Sequence, residues 1–220
     1  MKSIVSIFLA AGLLAGCSAP PPTRPLPLPP SGSMPLQGPL LVVDGAHSLV
    51  TFQVARAGPL ARLGHDHVLA CRCLSGRVSP AAGQAELVLP LDAVTVDEPD
   101  LRRAAGLDPE VDEEAVAGTR RNLQTKVFDT ARHPLARIRI RREAPERLLV
   151  SMTVRGEEHV QTVPARVEPL PGGGLRVAGA FTVRQSDFGM TPFSVLGGAL
   201  QVADAVAVRF DVTALPRAAP

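Results

Sequence analysis

The sequence has neither tryptophan nor tyrosine, and only seven phenylalanines among its 220 residues. Aromatic cages and stacking platforms are thereby excluded, and any apolar cavity must be walled mainly by aliphatic side chains. Lysine is almost as scarce, standing only at Lys2 and Lys126, while the 21 arginines are spread along the chain without a dense tract. With a formal net charge of +2, the electrostatic footprint of a nucleic-acid partner is missing. Catalytic signatures are lacking too: there is no Gly-x-Ser-x-Gly elbow, phosphate loop, His-Glu-x-x-His helix or dinucleotide fingerprint. Gly172-Gly173-Gly174 lies between strands, where a turn explains it, and the acidic run Asp108 to Glu114 suits a solvated helix start. The expectation is a binding protein and not an enzyme.

One apolar run exists, Ile4 to Leu14, and it is too short for the ~20 residues that cross a bilayer. Preceded by Lys2 and followed by small residues, it has the form of a secretory signal. Leu14-Ala15-Gly16-Cys17 resembles the lipobox of bacterial lipoproteins, which implies removal of residues 1–16 and acylation of Cys17. Several acyl chains, at ~0.8 kcal/mol per buried CH₂, anchor a protein stably. Ser18 stands where an Asp would resemble an inner-membrane retention signal, so the expected location is the periplasmic face of the outer membrane. Residues 17–39 then hold nine of the 22 prolines, a composition that favours extended polyproline II at ~3.1 Å per residue and reads as a tether.

From Leu40 to about residue 215 the pattern has a period of two. Val50, Phe52 and Val54 share a face, and Ala85 to Leu89, Arg137 to Arg141 and Ala205 to Phe210 repeat the alternation of half-buried strands. Turn residues punctuate them at Pro80–Gly83, Glu143–Glu146, Gly156–Glu158 and Pro171–Gly174, which predicts a mainly antiparallel sheet. Residues 97–124 break the pattern with charge and Ala. Pro99 and Pro109 mark expected helix starts, and Asp112-Glu113-Glu114 the acidic beginning of a second helical stretch.

These residues carry a resemblance across nearly the whole domain 40–215. His47-Ser48 to Val54 is similar to the opening motif of the YceI-like family of lipocalin-type, polyisoprenoid-binding proteins. Leu91 to Asp97, Arg120-Arg121-Asn122-Leu123, Val127-Phe128-Asp129 to His133-Pro134, and the stretches 149–156 and 160–163 follow in the family's order. Arg184-Gln185-Ser186-Asp187-Phe188-Gly189-Met190 resembles its Arg-x-Asp-Phe-Gly-Met signature, and 202–208 its closing strand. Asn122 stands where the family usually shows His, and Gly64-His65-Asp66-His67 with Cys71 and Cys73 falls outside the general pattern. The resemblance implies an all-β, eight-stranded antiparallel lipocalin-like barrel with the helical segment 97–124 inserted. It further implies an isoprenoid-type ligand such as a quinone in an elongated apolar cavity and the option of a homodimer, while the lipobox implies membrane attachment through Cys17.

Alternation supplies the candidate residues. Phe52, Val54, Phe181, Val183, Phe188, Met190 and Phe193 are the expected ligand contacts, because an interior rich in Ala and Val, without Trp or Tyr, underfills an eight-stranded barrel. The insertion is expected over one opening as a gate, and Arg184 and Asp187 as an ion pair at the rim. A second cluster supports an alternative, a metal- or redox-linked envelope protein. His65, His67, Cys71 and Cys73 are all odd-numbered and would share one face of an extended strand, with His65 and His67 as metal ligands joined by His47 or His133. A straight strand separates His65 from Cys73 by roughly 26 Å, so one four-ligand site needs a bend. Same-face cysteines two apart lie near the ~6.8 Å limit for a disulfide, and reduced or slowly reactive thiols are expected.

Overall fold

The alternating segments form eleven strands, and every neighbouring pair among the described residues, 36–217 of the computed structural model, is antiparallel. The expected leader, Cys17 and most of the Pro-rich stretch 17–39 lie outside the described residues. Eight strands close a ring: β1 (Leu41–Ala57), β3 (Ser75–Ser79), β4 (Gln84–Pro90), β6 (Leu135–Ala144), β7 (Arg147–Val154), β8 (Glu157–Pro169), β9 (Leu175–Arg184) and β11 (Leu200–Pro216). Pairing of β11 back onto β1 shuts the barrel. Three short strands lie outside the ring, β2 (His67–Cys71), β5 (Thr95–Val96) and β10 (Ser194–Val195). On one edge β1 serves two neighbours, β3 at Leu41–Val42 and β2 at Val50–Val54.

A bulge in β1 decides which of its residues face inward. Its partner sums change between Asp44↔Thr213 and Leu49↔Asp211, so β1 carries three extra residues there. The inward parity flips accordingly, from odd at Val43 to even at Val50, while β11 keeps even residues inside. Asp44 fastens the bulge by accepting hydrogen bonds from the Ala46 and His47 N–H groups and from His47 Nδ1 at 2.7 Å. Ser48, 3% exposed, donates to the Asp44 carbonyl and accepts from Thr213 N–H. The His-Ser motif at the head of the domain is therefore a clasp for the closing seam.

The insertion is helical as expected, with different bounds. Helix α1 (Pro99–Ala104) starts with Pro99 in its first turn. Helix α2 (Glu113–Asn122) is capped by Asp112, whose carboxylate accepts from Glu114 and Ala115 N–H, and Pro109 lies in the preceding coil. The chain continues into a π-helical turn, Leu123–Val127, beyond the expected end at Gln124. Only α2 and this turn reach the barrel opening; α1 packs against β2.

The cysteines depart from expectation. The strand ends at Cys71, and the chain bends at Arg72, bringing the Cα atoms of Cys71 and Cys73 to 5.1 Å in a disulfide.

Gly179 faces inward on β9 opposite Phe210 of β11, and a Cβ there would stand 2.4 Å from the Pro164 carbonyl oxygen and 2.7 Å from the Phe210 ring. Neither the backbone nor the ring yields without shifting a strand pair. Gly179→Ala is expected to lower stability by about 2 to 3 kcal/mol, measured by urea denaturation; an unchanged midpoint contradicts the close approach.

Candidate apolar binding cavity

Inward-facing side chains of the ring strands are mainly Val, Leu, Ile, Ala and Met, with Phe52, Phe181 and Phe210 the aromatics among them and Ser79, Gln84 and Arg142 at one end. They leave an elongated apolar cavity of about 460 Å³, within the ~300 to 1,000 Å³ of small-molecule sites. One end is bounded by Pro80, Gly83 and Arg142, near the turns that join β3 to β4 and β6 to β7. The other is bounded by Thr119 and Asn122 of α2, the π turn, and Phe193. We call the latter the helical end. All seven residues expected at the ligand, Phe52, Val54, Phe181, Val183, Phe188, Met190 and Phe193, line this cavity. The first four come from the period-two pattern of β1 and β9; the last three come from the turn after β9.

That turn plugs a split in the wall. β8 and β9 pair only between Ala165–Pro169 and Leu175–Gly179, and part toward the helical end. Phe188 and Met190 occupy the interval, packing with Met152 and Val163, and His159 meets the Phe188 ring edge-on at 5.7 Å. The turn Gln185–Phe188 is tied down by polar side chains. Gln185 donates to the Ala203 carbonyl, Asp204 accepts from the Ser186 hydroxyl and N–H, and Gly189 ends the turn at φ +63°. Arg184 and Asp187 do not form the expected ion pair. Asp187 accepts from the Arg184 backbone N–H at 3.1 Å, because the turn folds the carboxylate back on its own first residue.

The one dense polar cluster at the cavity was not expected. Asp97 follows β5 at φ +54°, a conformation that Asp tolerates better than most residues. Its side chain is fully buried. The carboxylate accepts from His67 Nδ1 at 2.6 Å, Val68 N–H at 2.9 Å and Arg102 Nη1 at 2.7 Å, while Asp97 N–H donates to the Val68 carbonyl. Arg102, 3% exposed, also donates to the carbonyls of Asp108 and Asp66. Burial raises the Asp97 pKa, but the hydrogen bonds from His67, Val68 and Arg102 outweigh it and hold the carboxylate below its ordinary 3.8. His67 lines the cavity at the helical end. Asp97 was legible as part of the 91–97 motif; its partners, 30 and 5 residues away, carried no signal in the sequence.

His65 and His67 are not a pair on one strand face. β2 begins at His67, so His65 precedes it and is exposed, and Cys73 follows the bend. His47 is engaged with Asp44. Among the described residues no three His, Cys, Asp or Glu side chains gather as a metal site requires.

A closed antiparallel barrel around an elongated apolar cavity is the architecture of a lipocalin-type binding protein. The chain belongs to the YceI-like family: the YceI-like domain model matches residues 41–214. Among solved structures, a polyisoprenoid-binding domain from Saccharophagus degradans aligns at 15% identity and TM-score 0.58, covering 80% of this chain and 98% of its own. BcnA of Burkholderia cenocepacia aligns at 17% identity and TM-score 0.52, covering 78% and 98% respectively. At these identities the likeness is one of fold. No curated protein matches the chain.

Asp97→Asn removes the charge that Arg102 and His67 share and leaves a buried guanidinium without a counterion, a change worth about 3 kcal/mol. The folded-state pKa of Asp97 lies below the unfolded value, so its stabilisation is fully present above pH 3.8 and is lost as pH falls through the folded pKa. Urea denaturation should therefore show the wild-type advantage over Asp97→Asn at pH 7 and its decline below pH 3.8. A constant difference across that range contradicts the ionic arrangement.

Proposed function

We propose that this protein is a lipid-anchored envelope protein, facing the periplasm, that holds one isoprenoid-type chain such as a quinone tail inside its barrel and performs no chemistry on it. The apolar cavity carries the proposal. A prenyl chain is long, narrow and almost free of polar atoms, and the wall offers aliphatic side chains along its length with polar residues only toward the ends. Met190 and Met152 add adaptable surface, suited to a flexible chain. The description of the Saccharophagus relative as polyisoprenoid-binding supports the same class of ligand. In this proposal α2 and the π turn gate the helical end. The lipobox-like Leu14 to Cys17 attaches the protein to the outer membrane, and the Pro-rich tether holds the barrel away from the lipid surface.

Native mass spectrometry of protein purified from cells should show an added lipid mass. Val183→Phe, which extends a ring into the cavity, should abolish that mass at a stability cost of less than the ~1 to 3 kcal/mol typical of overpacking a full core. A parent protein free of lipid, paired with a Val183→Phe protein that unfolds, overturns the proposal. Anchoring is tested separately: Cys17→Ser should leave an uncleaved precursor or a soluble form that no longer pellets with outer membranes, and unchanged fractionation refutes it.

A further inference from the structure

At the helical end of the cavity one polar side chain is held in a single orientation and a single tautomer. We propose that His67 is the head-group site of this cavity, its Nε2 accepting a hydrogen bond from a hydroxyl on the ligand, so that the barrel selects hydroxyl-headed isoprenoids, a quinol and not a quinone among them, over ether- or phosphate-headed ones. The proposal rests on the isoprenoid reading of the cavity and adds to it the chemistry of the head.

The tautomer follows from Asp97. An ionised carboxylate only accepts hydrogen bonds, so the 2.6 Å contact places the proton on Nδ1 and, in the neutral ring, the lone pair on Nε2. Among the described residues Nε2 makes no hydrogen bond, and His67 is part of the cavity wall. Arg102 offsets the Asp97 charge and is itself buried, so the pair presents the imidazole with no net charge. The imidazole is fixed from behind by a carboxylate that is fixed in turn by Arg102 and Val68, which is the preorganisation a selective acceptor needs.

Three other polar groups of the wall are committed to backbone carbonyls, whereas Gln84, Thr119 and Asn122 are not. At the far end Ser79 donates to the Gln37 carbonyl, and Arg142 to the carbonyls of Ala144 and Pro145. At the helical end the Gln185 amide is committed to Ala203. Thr119 and Asn122, one helical turn apart on α2, line the same end as His67. Lys126 of the π turn lies 5.2 Å over the Phe193 ring, and it is a group that a phosphate head would seek instead.

The test uses the purified mature chain freed of co-purified lipid, titrated calorimetrically at pH 8. Three probes share one chain: farnesol, farnesyl methyl ether and farnesyl phosphate. Farnesol should bind about tenfold more tightly than the ether, which accepts but cannot donate. In His67→Phe, confirmed folded by its thermal melt, the two should bind alike. Equal binding of alcohol and ether to the wild type overturns the head-group site while leaving the cavity reading intact. Tighter binding of the phosphate than of the alcohol overturns it as well, placing a cation at the head. If no probe binds the wild type, the cavity reading falls, and this proposal with it. The wild-type comparison decides even where the variant does not fold.

Discussion

Closure of eight strands sets the width of the interior before any side chain is chosen, and the rest of this molecule follows from how that width is filled. The seam between β1 and β11 makes the closure, and it holds only because the Asp44–Ser48 bulge lets β1 carry three more residues than its partner without turning its apolar side out. Inside, the strands place Val, Leu, Ile and Ala at most positions, with three Phe rings. Gly179 goes further and gives up a side chain altogether so that Phe210 can lie against the backbone. Half-buried residues such as Phe52, Phe181 and Val183 are thus exposed to the lumen. An apolar space of this size is the kind that a ligand fills more favourably than water does.

The barrel is not equally closed along its length. Toward the far end β8 and β9 are paired; toward the helical end they separate, and the gap is filled by a turn rather than a strand. A wall made of a turn has fewer ladder hydrogen bonds than a wall made of sheet, and local opening concentrates in such places. The same end is bounded by α2 and the π turn, which are held to the barrel by side-chain packing and not by strand pairing. Both features lower the cost of movement at the helical end relative to the far end.

Much of this was legible in residue patterns, for physical reasons. Period-two alternation reports which side of a strand is dry, so Phe52, Val54, Phe181 and Val183 fell on the inner face as expected. Turn residues at Pro80–Gly83 and Pro171–Gly174 marked hairpins because few other residues adopt those backbone angles. What the alternation could not carry was any feature made by leaving the regular strand. Treating His65 to Cys73 as one extended run put four side chains on one face; the strand in fact starts at His67 and bends at Arg72, which joined the cysteines and parted the histidines. The Arg184–Asp187 expectation failed in the same way, since a turn brings a carboxylate to its own backbone sooner than to a neighbouring side chain. Asp97, His67 and Arg102 meet only through the pairing of β2 with β5 and the docking of α1 on β2, contacts that no local pattern encodes.

The motifs that carry the family resemblance and the residue best placed to choose a ligand head are different residues. His47-Ser48 clasps the seam, Arg184 to Met190 plugs the split, and Asp97 pins β2 to the chain that follows β5; each spends its polar groups on the protein's own backbone or side chains. Once a motif's hydrogen bonds are all internal, it has none left to read a ligand. In our proposal His67 is the exception, because Asp97 engages Nδ1 alone and the residue is part of the cavity wall. It lies in the Gly64 to His67 stretch that departs from the general pattern.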